Sequence, residues 1–156
     1  MRVVILHESP GADGLRDEFV AAAEEFNRGL DIRLRFLDVG FTFREVPVRE
    51  PDDFAAVTFS ETFGAFGPSV VLALGRGPRL LECIAAAAKT GRPVLYLEPP
   101  EPDRTSSAIA RIAPVLVTTG GSPADRRPDR FHLDGRPVGP ALVDIIVRSV
   151  REDHRS

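Results

Sequence analysis

The sequence contains a single cysteine, no long apolar run and no excess of basic charge. Cys83 alone cannot form an internal disulfide, and its place on the apolar side of a predicted helix favours burial as a small hydrophobic side chain. A net charge of −3 and a pI near 5.6 give no electrostatic case for a nucleic acid or an anionic membrane as partner. The apolar run Val3 to Leu6 is too short for a signal peptide and no run approaches a membrane span, so a cytoplasmic protein is expected.

Short apolar runs alternate with helical patterns along the 156 residues. The run from Val70 to Leu74 has no polar residue, which is typical of a strand buried on both faces, and Val94 to Leu97 repeats it. Between them, apolar residues recur at helical spacing from Leu80 to Ala88. Pro78 suits a first helical turn, where a missing N–H is tolerated, and Gly91 suits the end of the helix. This stretch predicts a βαβ crossover in a parallel sheet.

The same alternation covers the rest of the chain. Further strands are predicted at 2–7, 32–36, 114–118 and 131–133, and further helices at 15–26, 51–63, 106–112 and 138–150. Asp13 or Gly14 is expected near the cap of the first helix. The pattern predicts a three-layer Rossmann-like α/β sandwich with a mostly parallel sheet of five or six strands. It forms a single domain over residues 1–150, followed by a polar tail at 151–156 that is expected to fray.

Two strand ends in the βαβ stretch are candidate site positions, because ligands of parallel sheets bind at the carboxyl ends of the strands. Glu98 follows one strand between prolines, where a carboxylate can act as a general base or bind a hydroxyl. The alternative is a salt bridge or a helix cap. The turn Gly75-Arg76-Gly77 precedes a helix, whose free N–H groups favour an anion, and Arg76 adds a fork-shaped donor. The alternative is a plain tight turn between strand and helix.

The end of the first strand offers a second set of candidates. His7 is predicted as an acid or base near neutral pH, although a structural histidine fits equally well. Glu8 and Ser9 are predicted ligand contacts. Ser9 lacks the surroundings of a nucleophile elbow, and a turn that begins at Ser-Pro explains it.

Hydroxyls and bare backbone follow another predicted strand, at Thr119, Gly120, Gly121 and Ser122. They suit contacts to a phosphate or a hydroxyl, with a plain loop as the alternative. His132 and His154 have no partners at metal-ligand spacing, so neither a metal nor a cofactor is predicted.

Six of the ten phenylalanines fall within one 26-residue window. They are Phe41, Phe43, Phe54, Phe59, Phe63 and Phe66. Some are expected to pack under the helix predicted at 51–63. The others either complete the core or form a ligand lid or a dimer patch, since exposed aromatic area usually marks an interface.

The segment from Val70 to Glu98 resembles part of the non-hydrolysing UDP-N-acetylglucosamine 2-epimerases. In that family a strand ends in a Gly-Asp turn, an alanine-rich helix follows, and the next strand ends in a His-Val-Glu-Ala-Gly-Leu-Arg-type motif. The corresponding words here are Leu74-Gly75-Arg76-Gly77 and Tyr96-Leu97-Glu98-Pro99-Pro100. The segment Phe131 to Val138, with Asp144 beyond it, is similar to the family's Val-Thr-Gly-Asn-Pro-Val-Ile-Asp segment. The resemblance covers roughly residues 1–150 and implies the N-terminal, Rossmann-like half of a GT-B fold.

Two departures from the family pattern change what the resemblance implies. Glu98 matches a catalytic carboxylate of the family, but Arg76 stands where the family has an acid, and a base cannot keep that proton-transfer role. The nucleotide-holding half of the GT-B fold has no counterpart in this sequence. The resemblance therefore implies a half-domain that binds a sugar nucleotide or another small anionic ligand, as a subunit of a split or dimeric enzyme. The alternative is a non-catalytic Rossmann-like interaction or assembly module, with a homodimer or another protein as partner.

Overall fold

The structure is a computed structural model that describes residues 1–31, 40–49, 55–118, 130–133 and 135–155, with only the backbone described at 55–57 and 151–155. Strands and helices alternate along it. The strands are β1 (Arg2–Glu8), β2 (Thr42–Val48), β3 (Val70–Leu74), β4 (Val94–Leu97), β5 (Val115–Thr118) and β6 (Arg130–His132). The helices are α1 (Asp13–Arg28), α2 (Ala55–Phe66), α3 (Pro78–Ala88), α4 (Arg104–Ile112) and α5 (Val138–Arg155).

The strands form one six-stranded sheet in the order β2-β1-β3-β4-β5-β6, and every neighbouring pair is parallel. This is the doubly wound arrangement. The chain starts at β1, places β2 at one edge of the sheet, and then crosses back to add β3 to β6 on the other side of β1. The predicted Rossmann-like α/β sandwich is therefore confirmed, with six strands. Strand order, which the sequence could not provide, places β1 directly beside β3 and aligns His7 with Leu74.

Two hydrophobic layers lie on opposite faces of the sheet. Side chains of β1 alternate between them: Val3 and Ile5 join the layer beneath α1 and α5, whereas Val4 and Leu6 join the layer beneath α2, α3 and α4. Strand β3 is buried along its whole length, as its apolar run predicts. Cys83 lies fully buried in the second layer, as expected.

Strand β2 was not predicted, and the strand predicted at 32–36 lies outside the described residues. Only Val46 and Val48 of β2 are buried, and Pro47 between them is a residue type that usually indicates a loop. The start of the strand is fixed from α1: the Asn27 side chain donates to the Phe41 carbonyl at 3.0 Å and accepts from the Phe41 N–H at 2.6 Å. A proline is tolerated in a strand that borders a sheet.

The phenylalanine window does not form one patch. Phe41 and Phe43 pack with Phe19 and Phe26 in the layer beneath α1 and α5. Phe59, Phe63 and Phe66 belong to the layer on the other face of the sheet, and Phe54 lies outside the described residues. The sheet separates the two groups: Phe59, Phe63 and Phe66 belong with the helix as predicted, and Phe41 and Phe43 complete the core on the other face.

The predicted helix ends need two corrections. Helix α5 continues to Arg155, so the predicted tail at 151–156 is helical almost to its end. Asp13 lies near the cap of α1 as predicted, directly after the cap residue Ala12, which makes no side-chain hydrogen bond. Helix α3 ends at Ala88, and Gly91 lies three residues beyond it at φ +77°. None of the helices described here is both long enough and apolar enough to span a bilayer.

Candidate functional site at the carboxyl edge of the sheet

The loops after β1 and β3 meet at the carboxyl edge of the sheet. Helix α1 leaves β1 on the face that α5 covers, whereas α3 leaves β3 on the face of α2 and α4. Neighbouring parallel strands whose helices leave on opposite faces mark the usual ligand crevice of this fold. We call the region formed by residues 7–13 and Gly75 the crevice.

Two glycines allow the two loops of the crevice to touch. A Cβ at Gly75 would lie 2.5 Å from the Glu8 Cβ and 3.3 Å from the Ala12 Cβ, and its φ of +111° is one that L side chains rarely adopt. A Cβ at Gly11 would lie 2.3 Å from a Glu8 carboxylate oxygen. Glu8 is therefore packed between two bare backbone positions, and Ala12 is 1% exposed. The predicted site residues Glu8 and Gly75 do come together.

A buried tyrosine supports the β3 loop from below. The Tyr96 hydroxyl donates to the Gly75 carbonyl at 2.6 Å, and the side chain is fully buried. Burial raises the pKa of Tyr96 well above its usual range; Arg76 opposes this rise, while Asp103, Glu98 and Glu8 add to it. The hydroxyl thus stays protonated as a donor, in the midst of four charged groups.

Arg76 does not stand alone at the edge of the sheet. Its guanidinium lies 3.6 Å from the Asp103 carboxylate. Asp103 also caps α4: its side chain accepts from the Ser106 N–H at 2.7 Å, and Ser106 Oγ accepts from the Asp103 N–H at 2.7 Å. The Ser106 N–H is the main cause that lowers the pKa of Asp103. The predicted anion donor therefore already has a carboxylate beside it.

His7 forms a hydrogen-bonded group with Asp13 and Ser9. His7 Nδ1 lies 3.2 Å from one Asp13 carboxylate oxygen, and Ser9 Oγ donates to the other at 3.3 Å. A carboxylate only accepts, so the proton of the neutral imidazole lies on Nδ1. Nε2 is then a bare acceptor, buried and without a hydrogen-bond partner among the described residues.

Burial lowers the pKa of His7. The Arg16 charge also lowers it, and Asp13 and Glu45 oppose the change only in part. The histidine is therefore neutral at neutral pH. The residue is 1% exposed, so an acid or base role would require an opening that admits substrate. Ser9 Oγ bonds to Asp13 and not to the imidazole, which does not fit an activated nucleophile.

Glu98 lies two strands away from His7, in a groove on the other face of the sheet. Its N–H donates to the Val117 carbonyl at 2.8 Å, which extends the pairing of β4 with β5. The groove has a volume of about 360 Å³. Its lining consists of Glu98, Ser107, Ala110, Arg111, Ala113, Leu116 and Arg130. We call this region the groove.

The groove combines an apolar floor with polar walls. Ala110, Ala113 and Leu116 provide the apolar part, and α4 contributes Ser107 and Arg111 one turn apart. Within the described chain, neither Glu98 nor Arg111 makes an ion pair or a side-chain hydrogen bond. Glu98 and Arg111 therefore face one concave surface, and neither forms an ion pair with another described side chain.

The structure thus separates the two predicted catalytic residues. His7 belongs to the α1 face and Glu98 to the α4 face. Gly75, Arg76 and Gly77 lie between them, with Gly77 at φ +124° before α3. Thr119, Gly120, Gly121 and Ser122 lie outside the described residues, and those positions stay a prediction. No group of three or more His, Cys, Asp or Glu side chains suited to a metal occurs among the residues searched, which are the described ones.

Several residues of the site were not predicted. They are Asp13, Tyr96, Asp103, Ser107, Arg111 and Arg130. Asp103 carried a usable signal, because aspartate three residues before serine at the start of a helical pattern indicates a cap. The others become site residues only through the order of the strands.

Comparisons with known proteins add little to this geometry. No protein-family model and no curated protein matches the chain. Among solved structures, the chain is similar to LsrB from Clostridium saccharobutylicum in complex with AI-2, at 12% identity and a TM-score of 0.47. The match covers 77% of this chain and 32% of the LsrB chain, so this chain spans about a third of that protein. A likeness this remote says nothing about which ligand this chain takes.

Proposed function

We propose that this chain binds a small anionic ligand in the groove. The proposal rests on one observation, which is that Arg111 and Arg130 line one concave surface together with Glu98. Guanidinium groups donate in a planar fork that matches the oxygens of a phosphate or a carboxylate. Arg111 makes no ion pair within the described chain, so its charge is available to such a group.

The other walls of the groove suit the remainder of such a ligand. Ser107 and Glu98 offer a hydroxyl and a carboxylate for polar contacts, and Ala110 and Leu116 give an apolar surface for a carbon skeleton. Small-molecule sites commonly enclose ~300–1,000 Å³, and the volume of about 360 Å³ lies at the lower end of that range. A monosaccharide phosphate or a compact organic acid fits this size.

The resemblance to the UDP-N-acetylglucosamine 2-epimerases supplies a more specific candidate, a sugar nucleotide with Glu98 as acid or base. The position of Glu98 directly after β4, half-buried and lining the groove, supports this candidate. The pairing of Arg76 with Asp103 does not, because an anion at the Gly75–Gly77 turn would have to compete with that carboxylate. The binding proposal does not depend on catalysis.

The test is ligand binding by calorimetry, supported by thermal melting, with glucose 6-phosphate and UDP-N-acetylglucosamine as probes. We expect at least one probe to bind wild-type protein and raise its melting temperature, because a ligand that binds only the folded state stabilises it. Arg111→Ala should weaken that binding by about tenfold or more, since it removes a charge-assisted contact.

Arg104→Ala is the matched control. Arg104 lies on the same helix and is exposed, but it does not line the groove. Its removal changes the net charge by the same amount and should leave affinity within about twofold. The proposal is wrong if neither probe binds, or if Arg104→Ala and Arg111→Ala weaken binding equally.

A further inference from the structure

We infer that the ligand of the groove carries an ammonium group beside its acid group, and that Glu98 receives the ammonium. This inference rests on the proposed function, because it concerns a second contact in the same groove. It identifies the ligand as a small zwitterion, such as an amino-sugar phosphate or a short amino acid.

The first argument is the charge of the groove. Glu98 and Arg111 line the same surface, yet they form no ion pair with each other or with another described residue. A ligand with only an acid group would satisfy Arg111 and leave the carboxylate facing a second negative charge. A zwitterion satisfies both, so the opposite charges of the groove fit opposite charges on one molecule.

The second argument is the surroundings of Glu98. The residue is half-buried, it follows β4 directly, and its N–H is tied to the Val117 carbonyl. Its backbone is therefore held by the sheet. A partly desolvated carboxylate gains more from a charged donor than from a neutral hydroxyl, because charge-assisted hydrogen bonds are roughly twice as strong.

The third argument concerns the donors that the protein offers to Glu98. Ala110, Ala113 and Leu116 offer no donor, and the nearby Tyr96 hydroxyl already donates to the Gly75 carbonyl. Glu98 therefore keeps its acceptor capacity for a donor that the ligand brings.

The test compares ligands that differ by a single ammonium group. Glucosamine 6-phosphate and glucose 6-phosphate form one pair, and 4-aminobutyrate and butyrate form the other, so the two pairs distinguish a phosphate from a carboxylate as the acid group. Calorimetry on the wild-type chain should show about tenfold tighter binding of the amino member in at least one pair.

Glu98→Gln keeps the size of the side chain and removes its charge. We expect this variant to lose the preference, with both members of the pair bound within about twofold. Glu101→Gln is the matched control, since Glu101 is an exposed carboxylate that does not line the groove, and it should keep the preference. Unchanged melting temperatures show that each variant is folded.

The outcomes separate the inference from the function on which it rests. Equal binding of the amino and neutral members by wild-type protein overturns the zwitterion and leaves the anion site intact. A preference that survives in Glu98→Gln also overturns it. If no member of either pair binds, and the probes of the proposed function fail too, both proposals are wrong.

Discussion

The crevice lies at the carboxyl ends of β1 and β3, whereas the groove runs along the face of β5 and β6 beside α4, and the two regions differ in how their polar groups are satisfied. In the crevice, Asp13 accepts from both His7 and Ser9, and Glu8 is packed against Gly75. In the groove, Glu98 and Arg111 have no such partners within the described chain. Residues with catalytic chemistry thus bond to one another in the crevice, whereas the charges of the groove have no described protein partner, as the proposed anion site requires.

The comparison predicts that damage to the crevice costs stability and leaves the groove able to bind. Gly75→Ala should have the largest effect. Its Cβ would meet the Glu8 Cβ at 2.5 Å, and the backbone at φ +111° is strained for alanine. We expect a loss of about 2–4 kcal/mol in the free energy of unfolding, measured by urea denaturation.

Gly64→Ala is the control for that substitution. Gly64 is an exposed glycine of α2 with nothing within 4 Å of a built Cβ. Alanine there should stabilise the protein by up to about 1 kcal/mol. A Gly75→Ala protein as stable as wild type would show that the loops of the crevice do not need their contact.

The hydrogen bond beneath the crevice should contribute less. Tyr96→Phe removes the bond to the Gly75 carbonyl and keeps the buried ring. We expect the free energy of unfolding, measured by urea denaturation, to fall by about 1–2 kcal/mol, because the Gly75 carbonyl loses its hydrogen-bond donor. Affinity for a groove ligand should stay within about twofold; a larger loss would mean that the two regions act as one site.

His7 should make the stability of the crevice depend on pH. Burial lowers the pKa of His7 in the folded protein below the ordinary 6.5, so the unfolded chain takes up the proton first as the pH falls. Stability should therefore decrease as the pH drops below about 6.5, with a slope of at most ~1.4 kcal/mol per pH unit from this group.

The measurement is urea denaturation at a series of pH values on wild type and His7→Leu. The variant should lose the part of the slope that begins near pH 6.5. His132→Gln serves as the control, because His132 is only half-buried, in β6, and bonds to Thr118. An identical slope in wild type and His7→Leu would contradict the buried, neutral state of His7.

The sequence predicted those parts of the fold that local periodicity determines. Val70–Leu74 and Val94–Leu97 are uniformly apolar because both faces of the sheet are covered, and such runs are visible without knowing their neighbours. Strand β2 was missed for the opposite reason. Val46 and Val48 are its only buried residues, Pro47 interrupts them, and the bonds from Asn27 that fix its start join residues 14 apart.

The site was harder to predict because its contacts depend on strand order. Glu98 was recognised from its place after a strand, yet Arg111 and Arg130, which line the same groove, come from α4 and from β6. His7 and Glu98 were each predicted as an acid or base because each lies at or just after the end of a strand. Successive side chains of a strand point to opposite faces of the sheet. His7 points to the face covered by α1 and Glu98 to the face covered by α4, and only the observed register shows which residue points to which face.

The smallest expected effect concerns Arg76, which borders both regions. Its side chain is 39% exposed and its guanidinium lies 3.6 Å from the Asp103 carboxylate, so water and a carboxylate already satisfy much of its charge. Arg76→Gln should therefore change the affinity for glucose 6-phosphate or glucosamine 6-phosphate by less than about twofold, whereas Arg111→Ala should weaken it by about tenfold.

Asp103→Ser tests whether Asp103 keeps Arg76 from contributing to the anion site. Serine keeps a cap for α4 and removes the charge beside Arg76. If this variant binds the phosphate ligands more tightly and the gain disappears in the double variant with Arg76→Gln, Arg76 contributes to the anion site and Asp103 restrains it. If neither variant changes affinity, Arg76 serves only to join the β3 loop to α4, and the boundary between the crevice and the groove lies at that ion pair.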